Sequence, residues 1–384
     1  MTPKERVLAA LAHCEPDRVP VGEFATDHSV IGEVLGRPTF WRAKRRYIEA
    51  LWDGRRDEVV SSMKRDLVEF TLATGLDMVP VQAVPHRDFP FRRPRQLDAD
   101  TWEDDQGNVL RYSAETEDIG LHRTGSLPAP ADDFELPTEL DSSELELAQY
   151  VLERLGKTHF VFCRPGRFTG LGYIRGWSAE QFIRVAEHPE EVAAEQRRGA
   201  EHLRSQLAPF AALGVDGAAI GQDYGFNSGP FVSPQTFARV YAPAMQGLCE
   251  IVHGFGLPCL FHSCGNNRAI LDQMVAAGMD AYQAIQPVER IDQIKRLYGD
   301  RLTLWGGVST DTLRRGTAAQ VRQESLFVLK HCAPGGGLIL GSSHSIVVGT
   351  PAANYRAMLA AARERGTYPI HIPEEVPEPH GSGA

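Results

Sequence analysis

Residues 258–267 read PCLFHSCGNN, and the interpretation of the whole sequence starts from this stretch. An apolar run that ends at Phe261 is followed by His262, Ser263, Cys264 and Gly265. A short apolar run bounded by turn residues is typical of a buried strand, and alternate residues of a strand share a face. His262 and Cys264 are therefore predicted to point the same way at the end of the strand. They are either two ligands of a metal such as zinc or an inert buried pair.

The composition indicates an ordinary globular protein. The chain has 384 residues, of which 42% are apolar and 23% charged, and its formal net charge is -10. The negative charge argues against a general nucleic-acid binder. The six cysteines show no paired framework, so we expect free thiols in a reducing compartment.

No part of the sequence has the character of a membrane segment. No apolar run approaches the ~20 residues that cross a bilayer. The first residues, MTPKERVLAALAHCEPDRVP, carry acids early and lack a long apolar region, so they do not resemble a signal peptide. We expect a cytoplasmic protein without a membrane partner.

Strand patterns alternate with helical patterns along the chain. The predicted strands are residues 18–24, 76–82, 159–163, 215–222, 257–262, 280–286, 301–305 and 337–341. Eight such units in an α/β chain predict a single closed (β/α)8 barrel of the TIM type. An open doubly wound sheet is the alternative, but no strand is followed by a G-x-G-x-x-G phosphate turn.

The barrel is expected to span residues 1–366, with an excursion at about 85–137 and a flexible tail at 367–384. Within the excursion, residues 101–118 have the pattern of a hairpin, and residues 128–137 form an acidic, proline-rich connector. Its start carries Arg87, Arg92, Arg93 and Arg95. These arginines form either a solvated face or a partial cover that attracts an anionic ligand.

Polar residues follow the predicted strands at one end of the barrel, where the active sites of such folds lie. They are Glu23, Asp27, His28, Gln82, Arg164, Asp223, His262, Cys264, Gln286, Ser309 and His344. Among them His344 is the best third metal ligand, because it follows the last strand and can converge with the fifth. A hydrogen bond from His344 to a substrate carboxylate or phenol is the alternative. With three protein ligands, zinc keeps a fourth position for water or a thiol, as in catalytic sites.

Several segments together resemble the uroporphyrinogen decarboxylase superfamily. They are TPKERVLAAL and PDRVPV near the start, SPQTF and YAP after the fourth strand, HSCGN at 262–266 and GSSHSIVVGTP at 341–351. The resemblance runs from Thr2 to about Gly366 and implies a (β/α)8 barrel.

The superfamily has a decarboxylase branch and a methyltransferase branch. True uroporphyrinogen decarboxylases carry an arginine-containing R-Q-A-G-R-Y signature, where this chain has VGEFATDHSV at 21–30. The other branch resembles cobalamin- and thiol-dependent methyltransferases, which hold zinc through an H-x-C motif and a later cysteine. Here the motif is His262-Ser263-Cys264, and His344 stands where that cysteine is expected. The substitution of imidazole for thiolate implies a less negative site, suited to zinc as a Lewis acid.

The resemblance implies a zinc-dependent methyltransferase that moves a methyl group between a small methylated substrate or thiol and a corrinoid or folate carrier. Asp223, Glu23 and Arg164 are its candidate catalytic residues. Its candidate substrate-binding residues are Asp27, His28, Gln82, Gln286 and Ser309. No D-x-H-x-x-G corrinoid-binding segment is present in the sequence, so a corrinoid would be carried by a partner protein, and tetrahydrofolate is the other candidate carrier.

Two other functions stay open. One is a cofactor-free decarboxylase of a porphyrinogen-like or other carboxylated substrate. In that enzyme the arginines at 87–95 and Arg164 would bind carboxylates, and Asp223 would hold pyrrole N–H groups. The other is a metal- or tetrapyrrole-binding partner protein without catalysis. The sequence leaves open whether the chain forms a homodimer.

Overall fold

The computed structural model describes residues 1–125, 139–166, 178–373 and 375–378. The helices in these residues are α1 (Pro3–Leu11), α2 (His28–Leu35), α3 (Lys44–Trp52), α4 (Arg56–Thr74), α5 (Glu146–Leu155), α6 (Ala179–Glu187), α7 (Pro189–Leu213), α8 (Pro234–Val240), α9 (Ala242–Gly254), α10 (Leu271–Ala276), α11 (Ile291–Tyr298), α12 (Thr310–Arg315), α13 (Ala318–Cys332) and α14 (Ala352–Arg365). The strands are β1 (Met78–Gln82), β2 (Arg95–Asp98), β3 (Thr101–Glu103), β4 (Val109–Tyr112), β5 (Ile119–Arg123), β6 (Phe160–Arg164), β7 (Gly217–Gly221), β8 (Gly225–Phe226), β9 (Gly229–Pro230), β10 (Cys259–His262), β11 (Ala281–Ile285), β12 (Thr303–Val308) and β13 (Leu338–Ser342).

A parallel sheet forms the centre of the molecule. Its seven strands lie in the order β1-β6-β7-β10-β11-β12-β13, so neighbours in space follow one another along the chain. Helices connect successive strands and provide the long crossover connections that parallel strands need. Seven of the eight predicted strands are confirmed, with their ends within a few residues of the expected positions.

The remaining gap in the sheet is filled by residues 18–22. On one side the Gly22 N–H donates to the carbonyl of Leu340 in β13 at 3.0 Å. On the other side the Asp77 N–H, just before β1, donates to the carbonyl of Val21 at 2.8 Å. We call the sheet together with residues 18–22 the barrel.

The prediction of a regular strand at 18–24 was wrong in its detail. These residues form only isolated bridges, one of which pairs Val21 with Leu340. The physical reason is that Pro20 has no N–H and that the Val21 N–H donates to the Asp77 carboxylate at 2.8 Å rather than to a carbonyl.

Side chains inside the barrel pack separately from the larger core between sheet and helices. The interior cluster includes Phe24, Met78, Phe160, Phe162, Leu260, Trp305 and Ile339. The Trp305 indole N–H donates to the carbonyl of Gly22 at 2.9 Å and so ties residues 18–22 to the barrel. Because Leu260 points inward, His262 two residues later points the same way, at the top of this interior stack. Cys259 and Phe261 belong to the outer core.

The excursion between β1 and β6 contains a second sheet. Strands β2, β3, β4 and β5 form a four-stranded antiparallel sheet, in which Trp102 of β3 faces Leu110 of β4. His28 at the start of α2 contacts Glu117 of this excursion, with 2.7 Å between Nε2 and the carboxylate. The predicted connector at 128–137 lies outside the described residues.

Part of the predicted C-terminal tail contacts the segments that connect the strands. The Tyr368 hydroxyl donates to the carbonyl of Ala333 at 2.9 Å, Ile372 is buried, and Glu378 pairs with Arg290 at 2.8 Å. The domain boundaries and the flexibility of the tail stay predictions. Within the described ranges, no helix is both long and apolar enough to pass through a bilayer.

Candidate metal centre

Glycines allow the loop that carries the H-x-C motif to approach its neighbours closely. Gly265 directly follows Cys264 and adopts a φ of 97°, which favours glycine. A Cβ at Gly265 would also collide with the backbone of Gly225, and one at Gly221 would collide with the carbonyl of His262. The end of β10 therefore packs against the end of β7 with no room for side chains between the two.

His262, Cys264 and His344 lie together at the top of the barrel. One ligating atom from each can be chosen so that all three lie within 4.8 Å of one another. The His262 Nε2 is 3.4 Å from the Cys264 Sγ, and the two imidazole rings are 5.4 Å apart at an angle of 71°. Bonds of about 2.0 Å to nitrogen and 2.3 Å to sulfur place tetrahedral zinc ligands about 3.5 Å apart. The three donor groups therefore fit a zinc ion.

Burial keeps these donor groups uncharged in the free protein. It lowers the pKa of His262 to about 4, with a smaller contribution from the neighbouring His344, whose own pKa is also lowered by burial. Burial, followed by the charge and hydrogen bond of Asp223, raises the pKa of the Cys264 thiol. At neutral pH both imidazoles have a lone pair for a metal, and metal binding would release the thiol proton.

The orientation of His262 is fixed by Gln283, a residue that the sequence analysis missed. The Gln283 side-chain oxygen accepts a hydrogen bond at His262 Nδ1, which leaves Nε2 facing Cys264 and His344. Gln283 is fully buried in β11, beside a bulge where Ala284 has a φ of 78°. The sequence did contain a signal for Gln283. It lies two residues after Ala281, whose side chain points into the barrel, so the two residues share a face.

Gln286, which the sequence predicted as the polar residue at this strand end, lies beyond the end of β11. It caps the short 3-10 helix Pro287–Glu289, where Glu289 completes a reciprocal capping box. Its hydrogen bonds are thus to the local backbone rather than to the three donor groups.

We expect Gln283→Leu to weaken metal binding by about 10- to 100-fold, because groups that orient a ligating histidine contribute this much to affinity. The measurement is competition for zinc against a chromophoric chelator. Gln286→Ala is the matched control and should bind zinc like the parent. Equal affinity in Gln283→Leu and parent would show that Gln283 does not position His262.

Asp223 and Arg164 lie beside the three donor groups. Asp223 Oδ1 accepts the backbone N–H of Cys264 at 2.8 Å and lies 3.8 Å from His262 Nε2, with half of its side chain exposed. Arg164 ends β6, in register with Gln82 of β1. Its guanidinium lies over the Phe24 ring, which stacks on His262. Sequence reasoning missed Phe24, because its role depends on two residues distant in the chain.

Three other predicted residues at this end of the barrel make structural contacts. Asp27 pairs with Arg42 at 2.5 Å and with Lys44 at 3.6 Å. His28 bonds to the excursion, as described above. Ser309 caps α12 by accepting the N–H of Thr312.

Glu23 is buried and contacts Ser342 at the end of β13. Its carboxyl contacts the Ser342 hydroxyl at 2.5 Å, and the same hydroxyl also contacts the carbonyl of His344. Burial raises the pKa of Glu23 to about 8, so the group is mainly protonated at neutral pH. Glu23 therefore holds the end of β13, which carries His344.

A buried polar network that sequence reasoning also missed supports the H-x-C loop. The Asn267 side-chain N–H₂ lies within hydrogen-bond distance of the Cys264 carbonyl at 3.2 Å and the Tyr282 hydroxyl at 2.9 Å. Glu289 accepts from both Tyr282 and the Asn267 backbone. This buried network holds the loop on the side that faces the core. The donor groups lie on the other side of the loop.

A curled parallel sheet with ligating and polar side chains at its strand ends is the arrangement of barrel enzymes. The family model for uroporphyrinogen decarboxylase (URO-D) matches residues 166–365, which is more than half of the chain. The chain therefore belongs to the uroporphyrinogen decarboxylase family. No curated protein sequence matched it significantly.

Two solved structures resemble this chain to different degrees. A methyltransferase from Methanosarcina mazei aligns over 95% of this chain and 99% of its own, with 19% identity and a TM-score of 0.60. A B12-independent methionine synthase from Shewanella sp. W3-18-1, solved with selenomethionine, aligns over 91% of this chain and 96% of its own, with 13% identity and a TM-score of 0.43. At these identities the first comparison establishes the shared fold.

Proposed function

We propose that this protein is a zinc-dependent methyltransferase that moves a methyl group between a small methylated substrate or thiol and a corrinoid or folate carrier. The observation that carries the proposal is the convergence of His262, Cys264 and His344 within 4.8 Å at the strand ends. A fold shared with a protein named as a methyltransferase agrees with it.

The donor set suits zinc in a catalytic rather than a structural role. Two neutral imidazoles and one thiolate supply three ligands, and catalytic zinc sites keep the fourth position open. When bound, zinc would act there as a Lewis acid toward the sulfur or oxygen of the substrate. His262, held by Gln283, and His344, held through Ser342, would keep their lone pairs directed at the ion.

The remaining residues around the site have separate tasks in this proposal. Asp223 is half exposed and adjoins both His262 and Cys264, so it can accept a proton from a bound thiol or orient it. Arg164 and Gln82 lie side by side at the ends of β6 and β1 and would contact the substrate. Glu23 would act by fixing the position of His344. Asp27 and His28 would form part of the wall around the bound substrate.

The test is elemental analysis of protein purified without chelator, followed by a methyl-transfer assay. We expect about one zinc per chain. We also expect methylcobalamin or methyltetrahydrofolate to be demethylated in the presence of a panel of small thiols. Protein without zinc, which also gains no activity when zinc is added, would contradict the proposal.

The protein is not expected to decarboxylate uroporphyrinogen at a useful rate. The arginine signature is missing from the sequence. The four arginines of the excursion are already paired with acids. Arg87 contacts Glu146 at 2.8 Å, and Arg93 contacts Asp53 at 2.7 Å. The measurement is anaerobic incubation with uroporphyrinogen and chromatography of the products. Efficient formation of coproporphyrinogen would favour the decarboxylase alternative.

A further inference from the structure

We propose that Cys249 and Cys259 form a redox-active pair of thiols, which a small peroxide such as hydrogen peroxide converts reversibly into a disulfide. The pair lies outside the candidate metal centre and takes no part in the proposed methyl transfer, so it goes beyond the proposed function and does not depend on it. A modification site is thereby assigned to the outer core, between α9 and β10.

The two cysteines come from neighbouring elements and meet in the outer core. Cys249 lies in α9, Cys259 is the first residue of β10, and both side chains are buried. The Cys259 thiol donates to the sulfur of Cys249, with 3.5 Å between the two Sγ atoms. The S–S bond of a disulfide is about 2.05 Å long, so the two sulfurs need to approach each other by about 1.5 Å. The fold therefore already places them close to bonding distance.

The hydrogen bond between the thiols gives them different roles. Its donation to Cys249, followed by burial, raises the pKa of Cys259. Cys249 is the acceptor, so it can lose its own proton and keep the bond, whereas Cys259 cannot. The thiolate is the form of cysteine that attacks an oxidant. Cys249 is therefore the attacking residue, and Cys259 is the residue that closes the disulfide.

The reaction is balanced with the peroxide as the oxidant. The Cys249 thiolate attacks one peroxide oxygen, the O–O bond breaks, and a sulfenic acid and one water are formed. The sulfur of Cys259 then attacks the sulfenic sulfur, the S–O bond breaks, and the hydroxyl leaves as a second water with the Cys259 proton. The two sulfurs lose two electrons, which reduce the peroxide. A small dithiol restores both thiols by exchange.

The pair lies one layer below the surface. Asp280 accepts the backbone N–H of Cys259 at 2.7 Å and contacts His253 Nε2 at 2.8 Å, and the side chains of His253 and Asp280 are 43% and 39% exposed. Gly278 is partly exposed, and a Cβ added there would lie 3.6 Å from the Cys249 Cβ. Because Gly278 has no side chain, this approach to Cys249 is uncovered. A molecule as small as a peroxide has to pass only this layer.

The test is peptide mapping of the full-length protein after treatment with hydrogen peroxide. Unreacted thiols are blocked under denaturing conditions before digestion. Cleavage after Glu250 separates the two cysteines, and cleavage after Phe261 separates Cys259 from Cys264, so both partners of a disulfide are identified. We expect the loss of two thiols per chain and a pair of peptides joined through Cys249 and Cys259. Dithiothreitol should restore both thiols.

Single variants test the assigned roles. In Cys259→Ala, Cys249 has no partner to close the disulfide, so its sulfenic acid should accumulate and react with dimedone. In Cys249→Ala, Cys259 should stay a thiol under the same treatment. Cys332→Ala removes a buried cysteine of α13 and should leave the yield of the disulfide unchanged. Equal sulfenic labelling in the first two variants would refute the assignment of Cys249 as the attacking residue.

Peptide mapping of the parent protein decides whether the pair exists, even where a variant fails to fold. Exposed Cys14 reports that the peroxide has acted. Full recovery of Cys249 and Cys259 as thiols after Cys14 has been oxidised would refute the pair. A disulfide that joins either cysteine to Cys264 would refute it as well. Zinc content enters none of these measurements, so failure of the metal centre would leave the pair standing.

Discussion

Replacing Cys264 by alanine is expected to reduce bound zinc from about one per chain to less than roughly a tenth, because the variant loses the one ligand of the three that becomes an anion. The remaining imidazoles of His262 and His344 would form a neutral pair with weak affinity. The measurement is elemental analysis of parent and variant purified side by side without chelator.

The control for this substitution is Cys14→Ala. Cys14 is an exposed thiol next to Gly336, which precedes β13 and lies at the opposite end of the barrel from the candidate site. This variant should keep its zinc, and both variants should unfold near the temperature of the parent, because Cys264 lies above the packed interior. Full zinc content in Cys264→Ala would eliminate the site.

Asp223→Asn is expected to lower methyl-transfer turnover by roughly a hundredfold or more while zinc content and folding stay close to those of the parent. Asparagine can still accept the Cys264 N–H through its side-chain oxygen, so the shape of the loop is kept. What is lost is the negative charge beside His262 and Cys264, and with it the group that accepts a proton. The measurements are turnover and zinc content in the same preparations.

Asp280 offers a matched control, because it contacts the start of β10 whereas Asp223 contacts the loop at the end of β10. It accepts the backbone N–H of Cys259 at 2.7 Å, much as Asp223 accepts that of Cys264, but it lies at the start of β11. Asp280→Asn should leave turnover unchanged. Loss of zinc together with activity in Asp223→Asn would make Asp223 a ligand, and unchanged turnover would reduce it to a structural residue.

Sequence periodicity was sufficient for those features that depend on one strand at a time. His262 and Cys264 share a strand and its loop, so their common direction follows from alternation. The position of His344 follows from the rule that active sites lie where the strands end. The structure does bring the three side chains together. That they bind a metal stays a prediction.

The features that were missed depend on contacts between distant parts of the chain. Gln283 reaches His262 beside a bulge in β11, and simple alternation does not locate a bulge. The Arg164–Phe24–His262 stack joins residues from β6, the start of the chain and β10. The irregular pairing of residues 18–22 arises from the Asp77 side chain, a partner that local propensity does not specify.

The way residues 18–22 close the barrel sets an order for its assembly during synthesis. These residues leave the ribosome early, yet one of their two neighbours is β13, which is made more than 300 residues later. Until then the nascent sheet has two open edges, and aggregation at such edges is a known hazard of slow, non-local pairing. His344 follows β13 directly, so it can join His262 and Cys264 only after the last edge is covered. A metal held by all three residues would mark a chain in which the barrel has closed.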